Sequence, residues 1–241
     1  MPLFARSLLY LTGQVLSAVV ICVLALVFFF SVSLRSRILL QWARFNIWTL
    51  KVLCGTRYRV KGAENIPEGP SVIISNHQSA WETLCFQNIF PLQSYLIKRE
   101  LLWIPFFGWG LALNRPVPID RSQKNRALQQ LIRQGIKRLQ EGRWLVIFPE
   151  GSRMKPGHPA RFQPGGAMIA SKFNCPIVPV CHNGGVFWPK RGFLKYPGVI
   201  DVCIGPAFLP EGRKVRDLNR EVESWIRTEL QTLPDHRQEM V

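Results

Sequence analysis

The chain opens on an apolar run with no charged residue from Ser7 to Leu34. As a helix these 28 residues reach about 42 Å, more than the roughly 30 Å hydrocarbon core of a bilayer. The run is too long for a cleaved signal segment, and no small-x-small site follows it. Arg35, Arg37, Arg44, Lys51, Arg57 and Arg59 come after it and only Arg6 before it. The positive-inside rule then predicts a cytoplasmic membrane protein with the rest of the chain on the cytoplasmic face. The next segment, RILLQWARFNIWTLKVLCG from Arg37 to Gly55, spaces cations among aromatics that share one side. That pattern predicts a helix lying in the membrane interface. Residues 1–56 therefore read as membrane-anchoring helices, either one spanning helix or a two-helix hairpin dipped into one leaflet.

From Arg57 the period changes. RYRVKG, SVIIS, SYLIK, VPID, WLVIF, PIVPV and VIDVCIG are short runs of strand type, several rich in β-branched residues. Between them lie helical patterns. Ser122–Gly142 carries Leu128, Leu131, Ile132, Ile136 and Leu139 on one face, with Gly142 as a stop signal. Asp217–Leu233 is a second. Strands alternating with helices predict an α/β domain over residues 57–241, a mixed sheet flanked by helices. The tail after Pro234 is polar.

Charge adds a constraint on partners. Lys and Arg number 31 against 15 Asp and Glu, a net charge of +16, so anionic partners are expected. Hydrophobic residues at 47% exclude a disordered basic tail. The cations are spread along the chain rather than grouped on one helix with interleaved aromatics, which argues against nucleic acid. An anionic bilayer surface or an acidic carrier protein fits better. The six cysteines show no C-x-x-C spacing and mostly sit in apolar runs, as small buried hydrophobes do.

Candidate chemistry starts at NHQSAWET, Asn76–Thr83. His77 and Glu82 are five residues apart. On a continuous helix they would point about 140° apart, and on a strand to opposite faces. A strand-to-helix turn would bring them together, and SVIIS before and SAWETLCFQNIF after support such a turn. Ser79 and Glu82 also fit S-x-x-E, a capping box, in which Glu82 only holds the helix start. The two readings are compatible. FPEGSR, Phe148–Arg153, is a strand end turned by Pro149 and Gly151. It presents Glu150, Ser152 and Arg153 at the C-terminal edge of a strand, where α/β sheets bind ligands. Arg153 can fork onto a phosphate or carboxylate. Taken alone, the segment reads equally as a solvated surface turn.

NHQSAWE, PFFGWGLALNRPVPIDR, FPEGSR and IVPV occur in this order over roughly Lys61–Pro206. Together they resemble the lysophosphatidic acid acyltransferase family of the glycerolipid acyltransferases. The resemblance implies acyl transfer from a thioester, of acyl carrier protein or coenzyme A, to the free hydroxyl of 1-acyl-glycerol 3-phosphate, a membrane lipid. The product is phosphatidic acid, and no cofactor beyond the thioester co-substrate is implied. It makes His77 the general base, with Glu82 in place of the family's aspartate in N-H-x4-D. By the same resemblance Arg121, Arg153 and Lys98 meet the acceptor's phosphate side. Gly151 allows close backbone approach, and Glu150 orders the site or contacts the glycerol. The family's lysine after FPEGSR is replaced here by Gln163 and Pro164, with Arg161 nearby. H-x4-E is not H-E-x-x-H, so no metal is expected. His158, His182 and His236 receive no role.

Overall fold

The computed structural model describes residues 1–104, 107–119, 124–158 and 160–234. Seven strands form one sheet: β1 Thr56–Lys61, β2 Val72–Ser75, β3 Gln93–Lys98, β4 Val117–Ile119, β5 Trp144–Ile147, β6 Ile177–His182 and β7 Gly198–Ile204. Their order is β1-β7-β6-β2-β5-β3-β4. Each falls on one of the strand-like runs of the sequence. β2 to β6 run parallel, while β7 is antiparallel to β6 and carries β1 alongside it in parallel. The mixed sheet is thus a five-strand parallel unit with a reversed two-strand edge.

β2, β5 and β6 are buried along their whole length, as parallel strands covered on both faces must be. Alternation divides their side chains between two cores. Ile73, Val146, Val178 and Val180 point to one side. Val72, Ile74, Leu145, Ile147, Ile177 and Cys181 point to the other. Full burial of each such chain contributes about 1.5–3 kcal/mol.

The second side is covered by α5 (Lys124–Gln140), α6 (Gly165–Phe173) and α8 (Val215–Thr232). Leu131, Ile132 and Leu139 of α5 are buried there, with Leu128 and Ile136 partly so, as their spacing predicts. α6 was not legible in the sequence because it opens on Gly165-Gly166. That pair is a packing device. A Cβ on Gly166 would stand 2.8 Å from Ile74 Cδ1, so glycine lets this helix sit close to β2 without displacing that side chain.

The first side is covered by α3 (Trp81–Ile89) and by the N-terminal helices α1 (Leu3–Val27) and α2 (Val32–Thr49), and two short helices, α4 (Phe107–Leu113) and α7 (Gly184–Phe187), complete the numbering. α1 is long and apolar enough to cross a membrane, with little of it buried against the protein. Its first turns nonetheless dock. Tyr10 packs edge-on against Trp188 at 5.5 Å, and Ser7 Oγ accepts a hydrogen bond from the Lys195 backbone at 3.0 Å. α2 runs into a wide π-turn, Leu50–Cys54, closed by Gly55 at φ +72°. Ala43, Ile47, Leu50 and Cys54 form its helical stripe, and they belong to the same core as Ile73 and Trp81. Phe45, Trp48 and Val52 face outward. The aromatic segment is therefore two-sided: one face is core and only the other is free to meet a membrane. Chain composition changes at residue 57, but the core crosses that boundary.

Candidate active site

All five parallel strands end at one edge of the sheet. β2 delivers Asn76 and His77 there, β5 delivers Phe148–Arg153 and β6 delivers His182. Chain order separates these segments widely, and the strand order β6-β2-β5 makes them neighbours.

The turn between β2 and α3 solves the five-residue spacing. His77 Nδ1 lies 2.6 Å from Glu82 Oε1. The same oxygen accepts the backbone N–H groups of Gln78 at 3.0 Å and Ser79 at 2.9 Å. Glu82 thus folds back over the start of its own helix, which absorbs its extra methylene relative to an aspartate. One oxygen atom thus meets both the helix start and the imidazole. The box is not reciprocal: Ser79 Oγ accepts from Trp81 N at 3.1 Å, and the residue that precedes the helix is Ala80.

Electrostatics fixes the roles in the pair. Burial of Glu82 is complete, which by itself raises its pKa. Proximity to His182 and His77, with hydrogen bonds from His77 and Ser79, outweighs this and holds the carboxyl below its ordinary range. An ionised carboxylate only accepts, so Nδ1 of His77 carries the proton. Its Nε2 then presents a lone pair. The His77 side chain keeps 16% exposure, which leaves a path for a substrate. Phe148 stacks on the imidazole at 4.1 Å and 11°, setting the plane of the ring.

The FPEGSR turn clasps the same histidine through its backbone. Glu150 Oε2 accepts the His77 N–H at 2.8 Å, and Met154 N–H donates to the His77 carbonyl at 2.7 Å. Gly151, at φ +73°, makes the reversal between them and donates its N–H to Phe148 O. Arg153 lies inside this clasp, half-buried and without an ion pair among the described residues. Its neighbours in the turn, Glu150 and Met154, hold the His77 backbone, and a guanidinium with no carboxylate partner can fork onto an anionic group. Burial pushes the Glu150 carboxyl up to about 7, and the His77 N–H offsets only part of that.

His77, Glu82, Glu150, Gly151 and Arg153 are thus brought together. Lys98 is not in contact with them. It ends β3, exposed, at the same sheet edge but two strands from β2, a lateral distance of roughly 10 Å. Arg121 lies outside the described residues. Arg161, the substitute cation, is exposed next to buried Phe162. Among the described residues no group of three or more His, Cys, Asp or Glu is placed to hold a metal, and the six cysteines are free and buried.

Two contributors were missed in the sequence. Asn76 donates to the His182 carbonyl at 2.9 Å and accepts its N–H at 3.0 Å, stitching the ends of β2 and β6 together. His182 itself is fully buried. Its Nδ1 accepts from Gly184 N at 3.1 Å, so Nε2 carries the proton toward Asn76 O at 3.1 Å. Burial lowers its pKa, and Glu82 nearby only partly offsets that. Asn76 was signalled by its place beside His77, whereas nothing in the local sequence signalled His182.

Comparison with known proteins shows the family and the fold. The chain is 49% identical to the 1-acyl-sn-glycerol-3-phosphate acyltransferase of Pseudomonas aeruginosa over 196 residues, 80% of this chain and 76% of that one. It is 32% identical to the protein of that name from Saccharomyces cerevisiae over 165 residues, 65% of this chain and 54% of the yeast protein. In fold it is similar to the crystal structure of the 1-acyl-sn-glycerophosphate (LPA) acyltransferase PlsC from Thermotoga maritima. The TM-score is 0.81 at 22% identity, over 99% of this chain and 98% of that one. The acyltransferase family model matches residues 57–183, from the start of β1 to the residue after β6, and so covers every strand end that builds the His77 site. With its sheet, its histidine–carboxylate pair and this match in hand, the chain belongs to the acyltransferase family.

Proposed function

We propose that this enzyme moves a fatty acyl group from an acyl thioester to the free hydroxyl of 1-acyl-glycerol 3-phosphate, giving phosphatidic acid for phospholipid biosynthesis. The observation that carries the reading is the His77 imidazole held through Nδ1 by the buried Glu82, on a backbone clasped by the turn that carries Arg153. Nε2 accepts the proton of the acceptor hydroxyl as its oxygen bonds to the thioester carbonyl carbon. Glu82 keeps the other ring nitrogen protonated and stabilises the imidazolium. When the tetrahedral intermediate collapses, the carbon–sulfur bond breaks and the imidazolium returns its proton to the departing thiolate. Arg153 holds the acceptor phosphate, so the hydroxyl is positioned by a charge that takes no part in bond making. Lys98 supplies further positive charge at the same sheet edge, and Arg121 is given a like role from its place in the motif PIDR alone. The names of the relatives support the acceptor.

The donor is a thioester of acyl carrier protein or coenzyme A, both anionic partners for a chain of net charge +16. α1 anchors the protein in the cytoplasmic membrane, with the catalytic domain on its cytoplasmic face. The apolar length of α1 and the cations that follow it support that placement. The direct test offers the purified full chain 1-acyl-glycerol 3-phosphate, glycerol 3-phosphate and a lysophospholipid with each donor. Phosphatidic acid is expected to form, and His77→Ala to slow it by roughly 10²–10⁴-fold. Preference for glycerol 3-phosphate or a lysophospholipid would move the acceptor assignment elsewhere in the family.

A further inference from the structure

On the core side carrying α1, α2 and α3, a cleft of about 470 Å³ opens between α2, its π-turn, the start of β1 and the end of α3. None of its lining residues belongs to the His77 site. Arg44, Lys51 and Arg57 contribute three exposed cations, and none forms an ion pair among the described residues. No acidic residue lines the cleft. Leaving three like charges around one hollow costs repulsion, which an anion would relieve. Asn88, also in the lining, has a buried side-chain oxygen with no hydrogen-bond partner. Ile47 and Tyr58 supply apolar wall, and Trp48 stands in the lining 57% exposed.

The surroundings identify the class of anion. Phe45, Trp48 and Val52 make an exposed apolar stripe along α2 and its π-turn, at helical spacing, next to the cations. An anionic head beside an apolar stripe matches a phospholipid: phosphate in the cleft, hydroxyls toward Asn88 Oδ1, acyl chains along the stripe. The volume falls in the range of small-ligand sites. A carrier-protein helix would need a flat basic face rather than a hollow of this size.

We infer that the Arg44–Lys51–Arg57 cleft is a second lipid site, separate from the reaction site, that takes the headgroup of an anionic bilayer phospholipid. The inference rests on the membrane placement proposed above. Its effect would be to set the height and tilt of the domain on the leaflet. Tyr58 packs against Trp81 at 5.9 Å, and Trp81 precedes Glu82, so the cleft wall is built onto the helix that orients His77.

The test uses the full chain in neutral detergent, carrying Arg153→Ala to weaken phosphate binding at the reaction site. It is titrated with dihexanoyl phosphatidylglycerol below its micelle concentration and, separately, with inorganic phosphate. Saturable one-to-one lipid binding is expected, weakened about tenfold or more by Arg44→Gln, Lys51→Gln and Arg57→Gln together. Lys51→Glu alone is expected to weaken it in the same direction, which covers any misfolding of the triple variant. Flotation with phosphatidylglycerol vesicles should show the same loss. A control triple on the other side of the sheet, Lys137→Gln, Lys214→Gln and Arg216→Gln, should lose clearly less at equal net charge. Equal losses in both triples would mean diffuse attraction and overturn the site. Phosphate binding as tight as the lipid's would make it a free-anion site and overturn the lipid assignment. A raised KM for acyl carrier protein with lipid binding intact would make it a carrier dock. Because short-chain lipid binding is read without turnover or a bilayer, failure here is distinguishable from failure of the proposed reaction or of the membrane placement.

Discussion

β2 and β6 lie side by side, and each delivers a histidine to the same edge of the sheet. The two imidazoles have opposite fates because their Nδ1 atoms meet different partners. At the end of β2, Nδ1 of His77 faces a carboxylate, so it keeps its proton and Nε2 is left as a base. At the end of β6, Nδ1 of His182 faces the Gly184 N–H, so it gives up its proton and Nε2 becomes a donor to Asn76. His182 has no free lone pair and no exposure. What sits behind each imidazole decides whether a ring nitrogen is left open.

The largest test of this contrast is the pair of alanine variants. His77→Ala should lower turnover by roughly 10²–10⁴-fold and leave a folded protein, by steady-state assay and circular dichroism. His182→Ala should do the converse. It leaves Asn76 O and Gly184 N–H unpaired around a cavity, a loss on the order of 2–5 kcal/mol in denaturant melts, with far less change in rate per folded molecule. The pH dependence sharpens it. Unfolded histidine takes a proton below about pH 6.5, whereas the folded His182 is held neutral to lower pH. The native chain therefore loses stability as pH falls through that window, and His182→Ala should lack this loss. Equal rate losses in the two variants would break the contrast.

Glu150 comes next, because it carries the clasp on the His77 backbone. Its folded pKa of about 7 lies above the ordinary 4.5, so the folded state binds the extra proton between those values. Stability contributed by this group is present below about pH 4.5 and lost as pH rises to about 7. Glu150→Gln keeps an oxygen for the His77 N–H and should flatten that slope, on the order of 1–3 kcal/mol across the interval. A melt series from pH 4 to 8 that keeps its slope in the variant would assign the titration to another group.

Glu82→Gln keeps an acceptor for Ser79 and Gln78 but removes the charge behind His77. We expect turnover to fall about 10–100-fold while the melting temperature shifts by only a few degrees. A silent variant would reduce Glu82 to a helix-start residue and erase its difference from Gly184 as a partner. The smallest effect is at Arg153. Arg153→Ala should raise KM for 1-acyl-glycerol 3-phosphate by about tenfold and change kcat less, as loss of one charged contact does. It should also narrow the preference over an unphosphorylated acceptor.

Much of this architecture was readable from the chain. Seven short strand-like runs became seven strands, because a four- to seven-residue apolar run between turn residues has few other uses in a domain of this size. The apolar stripe of α5 and the stop at Gly142 were equally local. The His77–Glu82 turn was legible as geometry, since five residues pair neither on a helix nor on a strand. What escaped was whatever depended on the far side of a contact. α6 hides behind Gly165-Gly166, whose meaning is Ile74, 92 residues before Gly166. The aromatic helix α2 reads as a membrane element until Ala43, Ile47 and Leu50 are seen in the core with Trp81.

The sequence by itself determined the elements, the placement of polar groups at strand ends and the residue types available for acyl transfer. Those follow from local periodicity and turn chemistry, which act over a few residues. Only the tertiary structure decided which histidine keeps an open ring nitrogen and which is closed off, that one oxygen of Glu82 serves both the helix start and the His77 ring, and that three scattered cations share a cleft. The bonds that hold the two strand ends in place beside each other span 73 residues from His77 to Glu150 and 106 from Asn76 to His182. No spacing rule reaches that far, because the strand order of the folded sheet, and not the order of the chain, chooses the neighbours.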